Sequence, residues 1–400
     1  MKEDICQTVK YVQNKECRRD ILSGTDSISL YIHIPFCLRK CRYCDFLSGP
    51  QTAEQRERYV QALIREIREQ DDCPRGTSAD TVFFGGGTPS VLSEDQIISI
   101  LQALRQTFFI LPDAEISLEM NPGTADEKKL RALKKAGINR LSMGVQSMHD
   151  EELRLLGRIH TAREAKEAFG MARAAGFDNV NIDLMSALPG QSFETWADSL
   201  RQAAAWGPEH ISAYSLIIEP GTPFSVLCEE GKLPPVPDEE TDRKMYHFTR
   251  KFLAQYGYER YEISNYALPG RQCRHNSGYW TGHPYLGFGI GAASYVNGIR
   301  FSNIADFNAY LEEGTKIRTD IHTLTRQEKM EEFMFLGLRM TAGVSAAEFA
   351  VRFGVTLEEV YGDVIRKHLR QGLLETAGER FRLTERGTDV SNYVMADYLI

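Results

Sequence analysis

Cys37, Cys41 and Cys44 stand in the string CLRKCRYC, a C-x3-C-x2-C spacing that puts three thiols on one short segment. Thiolates that close in sequence can converge on a single inorganic centre. Iron–sulfur sites ordinarily take four cysteines. Three, each binding one iron of a cubic [4Fe–4S] cluster, leave one iron open to a ligand from outside the chain. An open iron points to chemistry rather than storage or simple electron relay. The competing reading is zinc, but structural zinc asks for four ligands at close spacing. No second cysteine pair follows, and His33 lies on the preceding apolar run. A third reading, three unligated buried cysteines, conflicts with Arg39, Lys40 and Arg42, which make the segment polar.

A glycine run follows: Gly85-Gly86-Gly87-Thr88-Pro89. Such a run lets backbone groups approach a ligand without Cβ obstruction, and a tight turn uses the same residues. It has neither the lysine of a phosphate loop nor the spacing of a dinucleotide fingerprint, which disfavours ATP and NAD sites. Beyond it, polar residues recur at equivalent places. Glu119 and Gln146 follow apolar runs and Asp183 lies within one. In α/β barrels the carboxyl ends of the strands line the site, so these three are site candidates as well as candidate strand caps.

The elements that must position these residues read as a repeated grammar of short strand and amphipathic helix. Ser27–Pro35, Thr81–Phe84, Glu115–Glu119, Arg140–Val145, Asn179–Leu184 and His210–Ile218 are the expected strands. Helices are expected over 54–70, from Gln96 to Leu104, from Glu127 to Ala136 and from Ala162 to Ala175, the last two closed by Gly137 and Gly176. Six strands alternating with helices require parallel pairing and right-handed crossovers. The fold class is therefore α/β, a partial (β/α)6 TIM-like barrel. After Pro220 the alternation stops, and 238–257 is helical in pattern. In the tail, Thr356 and Glu359 form a capping box, Leu373–Thr384 reads as a hairpin turning at Ala377–Gly378, and 388–399 as a final helix. Helix, helix, hairpin is the grammar of a winged helix. The expected division is an N-terminal extension over 1–27, the barrel over 28–220, an extension over 221–320 and the winged-helix-like tail over 321–400.

Composition bounds the function. A chain of 400 residues suggests two or three domains, and 42% apolar with 26% charged residues is the balance of a soluble globular protein. No run of eighteen apolar residues exists, so no membrane span is expected. The first 21 residues have no apolar signal region, and a cytoplasmic protein is expected. Forty-seven basic against fifty-five acidic residues give a net charge of −8, which disfavours nonspecific nucleic-acid binding. The tail over 351–400 holds seven basic and eight acidic residues, and a DNA-reading wing would need a basic face. Eight cysteines are far too few for a disulfide scaffold.

With these residues in place, the chain resembles the radical S-adenosylmethionine (radical SAM) superfamily. The string YIHIPFCLRKCRYCDF is similar to the anaerobic coproporphyrinogen oxidase family. The resemblance runs from about Ser29 to Tyr310, and the tail is similar too. It implies a [4Fe–4S] cluster held by Cys37, Cys41 and Cys44 whose open iron binds the amino and carboxylate groups of SAM. One electron then cleaves SAM to methionine and a 5′-deoxyadenosyl radical. It further implies that Gly86, Gly87 and Thr88 face the methionyl group, that Glu119 holds the amino group, that Gln146 and Asp183 hold the ribose hydroxyls and that Arg158 pairs with the carboxylate. Tyr31 and Tyr43 match aromatic or hydroxyl contacts.

Two details separate branches of the family. The true oxidases carry a fourth cysteine two residues after the triplet, where this chain has Phe46, and they have a longer N-terminal segment. Conversely, His275, Asn276, Tyr279 and Trp280 form an H-N-x-x-Y-W string similar to the HemW subfamily of haem chaperones. That resemblance implies haem and a haem-acceptor protein as partners, with an electron donor for the cluster. His275, flanked by aromatics, suits either haem ligation or the fixing of a local loop; Cys273 suits a thiolate ligand or a buried spectator. Where the family usually has glycine before Leu-Pro-Gly, this chain has Ala187. The expected function is haem binding and transfer. The alternative is oxidative decarboxylation of coproporphyrinogen III, and a DNA-binding module is disfavoured by the acidic tail.

Overall fold

The computed structural model describes residues 27–313 and 317–399. The expected N-terminal extension over 1–27 lies outside the described residues, except for Ser27. Strands β1 (Ile28–Ile34), β2 (Ser78–Gly86), β3 (Phe109–Met120), β4 (Arg140–Gln146), β5 (Val180–Ser186) and β6 (His210–Ser215) lie side by side in sequence order. Every pair among these neighbours is parallel. This is the α/β barrel sheet expected from the alternation, and it stays open: β6 and β1 pair with later strands instead of each other.

Side chains alternate across a strand, and this alternation explains why the sheet can carry a site. One face bears Ile32 of β1, Phe84 of β2, Leu118 of β3, Met143 of β4 and Ile182 of β5, all buried in one apolar cluster. The helices Ala53–Glu69, Glu94–Thr107, Glu127–Ala136, Ala162–Ala174 and Phe193–Trp206 cover that face. Most of them start on a side chain bonded to their own first turn: Thr52 with Gln55, Ser93 with Gln96, Thr161 with Glu164 and Ser192 with Thr195. Each such cap contributes about 1 kcal/mol. Gly137 ends its helix in the left-handed conformation, φ +110°, as its position predicts. The opposite face is polar. Glu119 of β3 sits beside Ser142 of β4, which sits beside Asn181 of β5, which sits beside His210 of β6.

Residues 259–323 supply both edges of the same sheet, so β12 crosses the boundary expected at 320. β7 (Glu259–Arg260) and β8 (Asn265–Ala267) extend it beyond β6; β9 (Tyr285–Phe288), β10 (Ala293–Val296), β11 (Ile299–Asn303) and β12 (Arg318–Thr323) extend it beyond β1. β9 runs parallel to β1, and Gly287 sits opposite Tyr31. A Cβ on Gly287 would stand 2.3 Å from the Ala293 carbonyl, so the close approach requires glycine.

The C-terminal residues form a second core of their own. It joins the helices Arg326–Gly337, Ala346–Phe353 and Leu357–Arg370 to a small sheet of β13 (Val344–Ser345), β15 (Arg380–Leu383) and β14 (Leu374–Ala377). Helix, helix and hairpin follow in the expected order. The final helix expected over 388–399 is two short helices, Glu385–Asp389 and Ser391–Ala396, because Val390 leaves helical geometry at φ −122°, ψ 34°.

Candidate functional site

Three segments hold the cysteine loop beyond β1. Cys37 N–H donates to Gly49 O at 3.0 Å, Arg42 N–H to Leu156 O at 3.0 Å, and Phe224 N–H to Arg42 O at 3.0 Å. Cys37, Cys41 and Cys44 are free thiols, each partly exposed. Among the described residues no three His, Cys, Asp or Glu side chains form a single-ion site; a cubic cluster asks for something different, one thiolate per iron. Phe46, at the place of a fourth cysteine, is 63% exposed.

The glycine run packs directly under this loop. Gly87 N–H donates to Ile34 O at 2.8 Å and Thr88 N–H to Phe36 O at 2.7 Å. A Cβ on Gly86 would meet the His33 ring at 2.6 Å, and one on Gly87 would meet Phe36 O at 2.8 Å. The chain's own packing therefore demands these glycines, whatever ligand their backbone also meets. Thr88 Oγ1 lies 3.5 Å from Cys37 Sγ and accepts from Asn121 Nδ2 at 2.8 Å. Asn121 Oδ1 in turn accepts from Arg158, which also donates to Gly144 O and reaches Cys41 Sγ at 3.5 Å. Cys37, Thr88, Asn121, Arg158 and Cys41 are thus one connected group at the carboxyl ends of the strands, and Cys41, Thr88, Asn121 and Arg158 line a small crevice there.

Below that group lie two neighbouring carboxyls, of which Asp183 accepts from Asn181 at 2.7 Å and Ser142 at 3.4 Å. Glu119 Oε2 accepts from Gly86 N–H at 3.1 Å. Burial, reinforced by the charge of Asp183, pushes the Glu119 carboxyl up to about 8. Burial also raises Asp183, although Ser212, Asn181, Arg140 and Ser142 oppose the shift. A carboxyl kept protonated by burial beside a second acid favours a cationic or hydrogen-bond-donating partner. The sulfonium of SAM is a cation and its amino group a hydrogen-bond donor, so this acceptor set fits the expected ligand. Gln146 accepts from Tyr214 Oη at 3.1 Å and sits at φ +72°, a left-handed backbone that costs about 1–3 kcal/mol in a residue other than glycine. Tyr31 bonds His33 Nδ1 at 3.1 Å, and Tyr43 packs with Leu156, Met185 and Phe224 beside Arg158.

His275 lies at the other end of the sheet. Glu115, midway along β3, accepts from the backbone N–H groups of Arg274 at 3.0 Å and His275 at 3.3 Å, and from Cys273 Sγ at 3.4 Å. It thereby caps the helix Arg274–Thr281 with negative charge. His275 is 1% exposed; its Nδ1 is 2.7 Å from Thr81 Oγ1 and its Nε2 2.9 Å from Tyr279 Oη. The ring stacks on Phe83 at 5.0 Å, and burial lowers its pKa to about 3. In this conformation neither ring nitrogen is free to take an iron. Cys273 is fully buried on Glu115, the spectator position.

Sequence reasoning did not single out Asn121, Tyr214 or Arg140. Asn121 follows Met120 at the end of β3 and was visible as a polar residue at a strand's carboxyl end. Tyr214 and Arg140 belong to the polar face only through strand register.

A parallel sheet with a thiol triplet after its first strand, a glycine run after its second and a cation-seeking pocket beyond its third defines a radical SAM protein. A model of the radical SAM superfamily matches residues 31–203, and one of the HemN C-terminal domain matches residues 324–390. The chain is 37% identical over 376 residues to a Bacillus subtilis protein named heme chaperone HemW, covering 93% of this chain and 99% of that one. It is 35% identical to the Escherichia coli protein of the same name, covering 93% and 98%. The chain belongs to the HemW family. Among solved structures, coproporphyrinogen III oxidase (HemN) from Escherichia coli superposes with a TM-score of 0.81 over 93% of this chain and 90% of that one; at 24% identity the likeness is one of fold.

Proposed function

We propose that this chain binds haem and passes it to an acceptor protein, carrying a [4Fe–4S] cluster on Cys37, Cys41 and Cys44 and SAM beside it. The observation that carries the reading is near-complete coverage, at 35–37% identity, of relatives named heme chaperones. Phe46 at the fourth-cysteine place supports it against coproporphyrinogen oxidation. When bound, the cluster and SAM supply one-electron chemistry through the iron that no cysteine occupies.

The chain's own residues do the rest. Arg158 presents its guanidinium beside Cys41 and Asn121, where a planar fork suits a carboxylate. Glu119 takes the amino end, releasing the proton that burial and the charge of Asp183 hold on it at neutral pH, and Asp183 takes the ribose hydroxyls. Gln146, oriented by Tyr214, presents its amide to the ribose. Among the described residues no helix is long and apolar enough to cross a membrane, and a cytoplasmic location with an electron donor and a haem acceptor as partners completes the proposal.

One preparation tests it. The protein, reconstituted anaerobically with iron and sulfide, is titrated with haem and assayed for coproporphyrinogen decarboxylation. Stoichiometric haem binding without protoporphyrinogen formation is expected. Robust protoporphyrinogen formation would make this chain an oxidase.

A further inference from the structure

The H-N-x-x-Y-W string divides between two neighbourhoods. His275 and Tyr279 bond to each other at the foot of the sheet, whereas Trp280 lines a cavity of about 210 Å³ between the helix Arg274–Thr281 and the C-terminal module. Phe333, Leu336 and Met340 form the rest of its apolar wall. Arg339 covers the Trp280 indole at 4.2 Å, its own charge answered by buried Glu262 at 3.6 Å. The indole Nε1–H is buried and has no hydrogen-bond partner among the described residues.

The charges around this cavity are unbalanced. Of its two acids, Glu332 is held by Arg300 through bonds of 3.0 and 2.8 Å, and Glu348 is exposed in the first turn of the helix Ala346–Phe353. Three cations share the lining: Lys329, Arg352 and Arg380. Arg380 donates to the backbone carbonyls of Ala342 and Gly343 at 2.9 and 2.8 Å, and the Arg352 guanidinium lies 5.7 Å from the Phe353 ring centroid. None of the three forms an ion pair with a carboxylate among the described residues. An apolar wall, a spare indole donor and unpaired cations on one cavity select a flat apolar molecule with carboxylates along one edge.

We propose that this cavity, and not the buried end of the sheet where His275 sits, receives the propionate-bearing edge of haem, with Arg352 and Lys329 on the propionates and Trp280 beside the macrocycle. The inference rests on the haem-binding reading above and gives it a location. At about 210 Å³ the cavity is smaller than the roughly 300–1,000 Å³ of sites that enclose a ligand. It therefore grips an edge and leaves most of the ring in solvent, as suits a cargo to be handed on.

Titration of the reconstituted full-length protein with haem and with haem dimethyl ester, which lacks the free carboxylates, tests the assignment. Arg352 is exposed on its helix, so Arg352→Glu folds and thermal unfolding checks that it does. Arg352→Glu should weaken haem at least tenfold, Lys329→Glu combined with it should weaken haem further, and neither should change affinity for the ester. His275→Ala should keep haem affinity within a factor of two. If the wild type binds haem and both charge-reversal proteins bind it equally well, or if His275→Ala alone abolishes binding, the cavity is not the haem site while the chain remains a haem binder. If the wild type binds no haem at all, the functional reading falls and the cavity assignment falls with it.

Discussion

The two ends of the parallel sheet carry similar residues and treat them in opposite ways. At the amino ends of the strands, Glu115 has three donors from 273–275, and the hydroxyls of Thr81 and Tyr279 occupy both nitrogens of His275. At the carboxyl ends, Glu119 has one backbone donor and a like-charged neighbour, three thiols are unbonded to one another, and Gln146 is held in a costly backbone conformation. Buried polar groups are ordinarily satisfied. Where they satisfy one another they fasten the fold; where they fall short, the missing partner comes from outside. The group around Glu115 and His275 is therefore a plug and the carboxyl end a site, although Ser29 Oγ and Arg140 Nε at the strand starts also lack a partner among the described residues.

Substitutions can break this contrast in graded steps. The largest effect falls on the metal: Cys41→Ser should remove most of the iron and the broad visible absorbance of the reconstituted protein while leaving its unfolding temperature near that of the apoprotein. At the plug the expected result is reversed. Glu115→Ala strands four donors in the interior and should cost about 3–5 kcal/mol of stability in denaturant unfolding, with cluster content unchanged in the protein that remains folded. Arg158→Ala is intermediate; SAM affinity should fall at least tenfold, since a desolvated charge-assisted pair contributes about 2–5 kcal/mol.

Glu119 sharpens the contrast through pH. Its folded pKa of about 8 lies above the ordinary 4.5, so the folded apoprotein holds a proton that the unfolded chain releases. Stability from this group is complete below about 4.5 and is lost as pH rises through about 8. Glu119→Gln should flatten that alkaline loss in unfolding measured from pH 5 to 9. SAM, by supplying a cation, should bind the wild type more tightly as pH rises toward 8, and the glutamine protein should lose that dependence. The smallest effect is expected at Ala187, φ +54°, a left-handed backbone that favours glycine. Ala187→Gly should stabilise the chain by about 1 kcal/mol.

Much of this was legible in the residues. The cysteine spacing, the six strands and the acids at their ends follow from type and alternation, which are local. Arg140 and Tyr214 were not found because membership of the polar face depends on register between strands far apart in sequence, whereas Asn121, directly after β3, was open to the same reasoning as Glu119. β9 to β12 were missed because strands of four to six residues interrupted by Gly287, Gly289 and Gly291 carry no clear period. His275 shows the limit of motif reading: its neighbours in sequence suggested a ligand, and its neighbours in space supply both of its hydrogen bonds.

The central claim is that the carboxyl ends of the strands hold a cluster with one iron left for SAM. Electron paramagnetic resonance of the reduced, reconstituted protein tests it directly. Addition of SAM should change the g values of the cluster signal in the wild type and leave them unchanged in Arg158→Ala at the same SAM concentration. A wild-type signal indifferent to saturating SAM, or a fully loaded protein containing zinc and no sulfide, would contradict it.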